Sequence, residues 1–220
     1  MKISLSPRLQ ACAAYVKTGD RIADIGCDHG YLSLYLLKNK IATFAIAADV
    51  NEMPLQSAKL NAQKYDCSDR ISFHLSDGVQ NIPRDFETMV CAGMGADTIK
   101  SILTAAPWLK NNSYRLILQC QSKTPLLRKF LSENGWHIVE EQVLRDGRFL
   151  YTVMNVHYDP NQPRLTDAQC HFPPALLISP TKETQEYYER IINGLKTQNR
   201  HKDDPKITAI LNELTKENTL

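Results

Sequence analysis

Apolar residues in this chain fall into short runs broken by polar turns, and the spacing inside successive runs switches between two periods. The runs at 21–23, 44–48, 71–75, 88–92 and 115–120 are brief and continuously or alternately apolar, as buried strands are. In the third, Ile71, Phe73 and Leu75 alternate and are expected to face inward. Between these runs apolar positions return every three or four residues. Leu32, Leu36 and Leu37 share one face of a segment that reaches Asn39. Leu55, Ala58, Leu60 and Ala62 serve a segment opening at Pro54 and ending near Asp66, and Ile99, Ile102 and Leu103 serve one over 96–108. A further helix is expected over 125–134, stopped by Gly135. An opening helix over 5–16 has Ser6 as its cap and Pro7 in its first turn. Runs at 136–144 and 149–156, joined through Asp146-Gly147, predict a β-hairpin. Strands alternating with helices, closed by a hairpin, make a doubly wound α/β sheet.

Residues 159–174 break the pattern. They hold Pro160, Pro163, Pro173 and Pro174, four of the eleven prolines, and predict a linker. The chain therefore divides into a sheet domain over 1–159 and a small appendage over 160–220. In the appendage Ser179-Pro180 signals a helix start, followed by Tyr188, Ile191, Ile192 and Leu195 at i, i+3, i+4 and i+7. Asp204-Pro205 repeats the signal, and Ile207, Ile210, Leu211 and Leu214 repeat the spacing, so the two helices form a hairpin. From Arg164 onward there are eight basic and eight acidic residues. Charge thus leaves three roles open for the appendage: covering the sheet, pairing copies of the chain, or gripping a substrate.

The bulk numbers narrow the class. At 220 residues and 43% apolar, the chain supports one good core and a small addition. A net charge of +2 announces no basic field, so a polyanion would be met by local patches. Arg8, Lys17, Arg21, Lys123, Arg128 and Lys129, at predicted helix ends, are the candidates. The six cysteines are widely spaced without a C-x-x-C pair, which predicts reduced thiols in a cytosolic protein and no zinc site. No apolar stretch resembles a signal peptide or a membrane span, so a cytoplasmic location is expected.

The chemistry concentrates in Asp24-Ile25-Gly26-Cys27-Asp28-His29-Gly30-Tyr31-Leu32, which runs from a strand through a tight turn into a helix. A dinucleotide site there requires G-x-G-x-x-G, so that backbone can cradle a pyrophosphate at the helix N-terminus. This turn instead reads Gly26-x-Asp28-x-Gly30, and its carboxylate repels phosphate. S-adenosylmethionine, with a cationic sulfonium, an amino-acid tail and no phosphate, suits an acidic turn better. The second strand ends at Asp49, with Val50 after it, where a carboxylate can accept both ribose hydroxyls. Asp77-Gly78 ends the third strand and supplies another carboxylate. The competing reading makes Asp28 and Asp49 helix caps and Asp77 an ordinary turn aspartate. The donor-binding set expected is Asp24, Gly26, Cys27, Asp28, His29, Gly30, Asp49, Val50, Asp77, Gly78, Ala92 and Gly93.

The stretch Asp24 to Leu32, the motif Ala92-Gly93-Met94-Gly95, the run Leu116-Ile117-Leu118-Gln119 and the terminal helical pair resemble the bacterial tRNA (adenine-22-N1)-methyltransferase family over nearly the whole chain, from about Leu5 to Leu214. The resemblance implies a Rossmann-like class I methyltransferase sheet with a small C-terminal α-helical hairpin domain, S-adenosyl-L-methionine as methyl donor, and tRNA as the partner. It also implies that the end of the fifth strand, Cys120-Gln121 here, faces the target base. Other members often carry a Pro-Asn pair there. A methyltransferase for another RNA or a small molecule, and a non-catalytic donor-binding module, are the alternatives.

Adenine N1 has an in-plane lone pair, so direct in-line attack on the methyl group needs no base at N1 and no covalent cysteine step. Holding the reactants in line is the main task, and good geometry can supply about 7–11 kcal/mol of the barrier. A carboxylate beside the ring stabilises the growing positive charge, and Asp28 is the catalytic candidate. Gly93 admits the base close to backbone, and Gln121 stands where the base must lie. Tyr31 can stack on a flipped base or pack inside, and packing is expected. No His/Cys set completes a metal shell around His29, so no metal is expected, and the protein is expected to act as a monomer or weak dimer.

Overall fold

The computed structural model describes residues 3–200 and 202–217. Helix α1 (Pro7–Tyr15) opens the chain, with the Ser6 hydroxyl accepting from the Leu9 amide. There follow β1 (Arg21–Ile25), α2 (Tyr31–Lys38), β2 (Phe44–Asp49), α3 (Glu52–Lys64) and β3 (Ile71–Leu75). The second half holds β4 (Thr88–Met94), α4 (Ala96–Ala105), β5 (Arg115–Cys120) and α5 (Thr124–Glu133), then the hairpin β6 (Trp136–Asp146) and β7 (Phe149–Tyr158). The strands form one sheet in the order β3-β2-β1-β4-β5-β7-β6. β1 to β5 are parallel, and β7 is antiparallel to both β5 and β6. The strand order reverses between β1 and β4, the switch point at which such sheets bind ligands.

Helices cover both faces, which is why the central strands read as continuous apolar runs. Ile22, Ala45, Ala47, Val90, Ile117 and Val153 pack toward α1, α2 and α3. Ala23, Ile25, Ile46, Met89, Leu116 and Leu118 pack toward α4 and α5. Each fully buried Val, Ile, Leu or Met of this kind contributes about 1.5–3 kcal/mol by leaving water.

Several local expectations are corrected. Leu75 is 56% exposed, as the last residue of β3, an edge strand of the sheet, and Leu60 lies on the outer face of α3 at 66% exposure. The helix expected over 96–108 stops at Ala105. Pro107 lacks the amide that would continue it and starts a 3-10 turn, Pro107–Leu109. The stretch expected as a linker contains α6 (Asp167–His171), with Ala168 and Phe172 buried, and leads at Pro174 into a 3-10 turn, Pro174–Leu177, in which Leu176 is buried. The next helix, α7 (Lys182–Asn199), is capped by Thr181 in a capping box with Thr184, not at Ser179-Pro180. α8 (Pro205–Glu217) starts at the expected proline.

The C-terminal helices share a third core with the sheet edge. Val143 of β6 joins Phe172, Leu176, Ile192, Leu195, Ile210 and Leu214. Beneath it lies a fully buried ion pair. Arg128 of α5 donates to Glu141 of β6 through Nη2 (2.7 Å) and Nε (3.1 Å), and its Nη1 reaches the carbonyls of Cys170 (3.0 Å) and His171 (2.8 Å) at the end of α6. Arg128 is thus a structural clamp rather than a surface cation. No helix among the described residues is long and apolar enough to cross a membrane.

Replacing Arg128 by Met leaves Glu141 buried and unpaired, and is expected to destabilise the fold by about 3–5 kcal/mol. Adding Glu141→Leu to it is expected to restore most of the loss, as read from urea unfolding midpoints.

Candidate active site

After β1 the backbone enters the left-handed region three times in five residues, at Gly26 (φ +71°), Asp28 (φ +50°) and Gly30 (φ +73°). Aspartate is among the few side chains that tolerate this conformation. The turn is pinned by its neighbours. The amides of Gly26 and Cys27 both donate to the Ala48 carbonyl (2.8 and 3.0 Å), and the Gly30 amide donates to the Cys27 carbonyl (2.8 Å). A Cβ on Gly26 would lie 2.4 Å from the Met94 methyl, and one on Gly30 would lie 3.0 Å from Ala58 Cβ. Gly30 is therefore set by close approach to the Ala58 backbone and Cβ as well as by φ, whereas the flexible Met94 tip can give and Gly26 is set by φ.

Two buried carboxylates flank the turn. Asp24, 4% exposed, accepts a hydrogen bond from the Ser33 hydroxyl (2.7 Å). Burial pushes its carboxyl up to about 6, Ser33 pulls it back, and the Asp49 charge adds to the rise. Asp49 accepts the Asp28 amide on Oδ2 (3.2 Å) and the Asn51 amide on Oδ1 (2.9 Å). The turn that follows the first acid is thus held, at Asp28, by the second.

The opposite wall comes from β4 and β5. β4 bulges at Gly93 (φ +82°), where the register against β5 jumps from Ala92 to Met94. The freed Gly93 amide donates to Gln119 Oε1 (3.0 Å), and Gln119 Nε2 donates to the Cys120 carbonyl (3.1 Å). The Gln121 amide donates to the Met94 carbonyl (2.8 Å).

Between the walls lies a cavity of about 210 Å³. It brings Asp24, Gly26, Cys27, Asp28 and His29 of the turn together with Ala92 and Gly93 of β4 and with Gln121. Gly30 sits below it as the residue before α2. Asp49 supports the turn from behind, and Val50, 63% exposed, stands beyond the end of β2. Asp77 is exposed on the loop after β3, while Gly78 is buried against Ile102; neither lines the cavity. The Asp28 carboxylate is open to solvent, 3.6 Å from His29 Nε2.

Three further lining residues matter. Gln119, 1% exposed, stands out in the sequence as the one polar side chain after Arg115 in an otherwise apolar strand. Arg8 reaches the cavity from α1, and no sequence signal joins it to Asp146, its ion-pair partner 138 positions away. Tyr31 stands at the rim at 42% exposure rather than packing inside, because the first residue of α2 faces outward.

The basic candidates separate. Of the six, Arg8 lines the cavity. Lys123 is paired with Asp97 (2.7 Å) and Lys129 with Asp167 (2.9 Å). Arg21 starts β1, at the other end of the sheet, paired with Asp85 (2.6 Å), and Lys17 lies at that end too. Cys91 and Cys120 are buried, and burial pushes both thiols up, so neither is a thiolate at neutral pH.

A methyltransferase domain family model matches residues 5–154. The tRNA (adenine(22)-N(1))-methyltransferase of Bacillus subtilis (strain 168) is 33% identical over 154 residues, which cover 70% of this chain and 65% of that relative. The chain thus spans just under two thirds of that protein's length. The solved structure of the B. subtilis M1A22 tRNA methyltransferase matches with a TM-score of 0.82 at 26% identity, over 98% of this chain and 96% of that one. A Streptococcus pneumoniae protein solved in complex with S-adenosyl-L-methionine matches with a TM-score of 0.85 at 26% identity, over 97% and 99%. The domain that surrounds the acidic turn is shared along most of the chain, which belongs to the methyltransferase domain family.

Proposed function

We propose that this protein is an S-adenosyl-L-methionine-dependent tRNA methyltransferase acting on N1 of an adenine, of the position-22 type, in the cytoplasm. The observation that carries the reading is the correspondence with the B. subtilis M1A22 enzyme over 98% of this chain, a span that includes the C-terminal helices. We read residues 1–159 as the catalytic domain and 160–220 as the helical appendage.

The cavity's own chemistry fits the donor. Asp24 and Asp28 line it, Asp49 stands directly behind, and Arg8 is already paired with Asp146. Such a site repels a polyphosphate and attracts a cation. When bound, the donor supplies an electrophilic methyl group on a sulfonium. Asp24 takes its ammonium. Asp49 uses one oxygen for each backbone amide it already holds, which leaves a lone pair on each for a ribose hydroxyl. Cys27, His29, Gly30, Val50, Asp77, Gly78 and Ala92 complete the donor side in this reading.

On the substrate side Gly93 and Gln121 frame the base, and Gln119 holds the Gly93 bulge in place. Adenine N1 becomes cationic on methylation, so no proton leaves it and His29 is not needed as a base. Asp28 accepts a hydrogen bond from the exocyclic amine and stabilises the growing ring charge. In this scheme the protein acts chiefly by positioning.

Labelled methyl transfer is expected on unmodified tRNA transcripts and not on a transcript with the adenine changed to guanine. Asp28→Ala is expected to lower turnover on the order of a hundredfold. Donor binding without transfer to any tRNA would overturn the substrate assignment.

Donor affinity is also expected to depend on pH. The charged Asp24 is the form that pairs with an ammonium, and burial pushes its carboxyl up to about 6. Calorimetry should give a flat Kd between that value and the onset of deprotonation of the donor's α-ammonium near pH ~8, and, as pH falls below it, a Kd that rises roughly tenfold per pH unit. Ser33→Ala removes the hydrogen bond that holds the carboxyl down and is expected to move the break to higher pH.

A further inference from the structure

The turn joining β6 to β7 lies at the same end of the sheet as the cavity, because Thr152 and Val153 pair with Cys120 and Gln119 at the end of β5. Alternate side chains of β7 share a face, so Phe149, Tyr151 and Val153 form one row. Val153 is buried in the core beneath α1, Tyr151 is half-buried, and Phe149 is 49% exposed. A row that begins in the core therefore runs out into solvent.

Arginines bracket it. The Arg148 guanidinium lies 4.9 Å from the centre of the Phe149 ring, the two rings lie 6.2 Å apart, and Arg8 lies 4.8 Å from the centre of the Tyr151 ring. Arg8 also lines the cavity and is fixed by Asp146 (2.7 Å). The order Arg148, Phe149, Tyr151, Arg8 is thus a continuous ladder of cation and ring from the hairpin tip to the candidate active site. Among the described residues Arg148 makes no salt bridge, and Phe149 is one of the exposed large apolar side chains, outside the buried clusters. The ring-to-ring and cation-to-ring contacts leave about half of the Phe149 side chain facing solvent beside a cation without a carboxylate partner among the described residues.

We propose that this ladder is an RNA-gripping surface: an unpaired nucleobase flanking the target adenine stacks on Phe149, and Arg148 takes the neighbouring phosphate. Aromatic faces hold unpaired bases, and an adjacent arginine adds both stacking and charge. Arg8 then links the gripped strand to the cavity. The inference rests on the tRNA reading above and deepens it by assigning residues to substrate recognition.

The test is fluorescence anisotropy with an unmodified tRNA transcript, run beside calorimetry with the donor and thermal unfolding. Phe149→Ala is expected to weaken tRNA binding on the order of tenfold. Donor affinity and Tm should stay as in the wild type, and Phe149→Trp should retain binding. Arg148→Gln is expected to lower the slope of log K against log salt by about one phosphate's share. Wild-type tRNA affinity in Phe149→Ala, with a normally active parent, would overturn the ladder while leaving the tRNA reading intact. A parent that binds the donor but neither binds nor methylates tRNA would overturn both.

Discussion

Asp49 holds the candidate active site together. Its two oxygens take amides from Asp28 and Asn51, so the end of β2 fixes the turn that leaves β1. That turn needs three residues in the left-handed region, a conformation that costs energy wherever a side chain is present. It persists because the Ala48 carbonyl takes the amides of Gly26 and Cys27 and the Asp49 carboxylate takes that of Asp28. The same arrangement buries Asp24 under a single hydroxyl donor. A cationic ligand would relieve the cost of burying that acid, so the folding constraint and the binding chemistry are one feature.

A second constraint works at a distance. Arg128 is fully buried, and its five donors are shared among Glu141, Tyr187 and the end of α6. It ties α5, β6 and the C-terminal helices into one unit. The helical pair therefore meets the rest of the protein through both a hydrophobic core and a buried ion pair. β6 is shared by this unit and by the hairpin tip, which is tied to α7 by Arg145 and Glu186 and to α1 by Arg8 and Asp146. The surface around the cavity mouth is in this way assembled from the first helix, the last strands and the appendage.

The charge distribution follows the same logic. A net charge of +2 with most of the candidate basic side chains paired leaves no broad positive field. Recognition of a nucleic acid by such a protein must rest on a few placed contacts rather than on long-range attraction. The acids cluster instead at the switch point of the sheet, where a polyphosphate would be repelled.

Much of this was legible in the chain itself. Period-two and period-3.6 runs reflect local geometry and burial on two faces, so the parallel strands, their helices and the closing hairpin could be placed from 21–23 through 149–156 without coordinates. The acidic glycine turn was equally visible, because backbone demands at Gly26 and Gly30 and the phosphate-repelling Asp28 are written locally. What the tertiary structure alone decided depends on contacts between distant residues. Arg128 looks like a surface cation until Glu141 and α6 close around it, and 159–174 looks like a linker until Ala168 and Phe172 find a core. Tyr31 and Leu75 turn outward because of where the helix begins and where the sheet ends. Arg8 meets Asp146 and Tyr151 only because α1 folds back over the last hairpin, a pairing that no local pattern records.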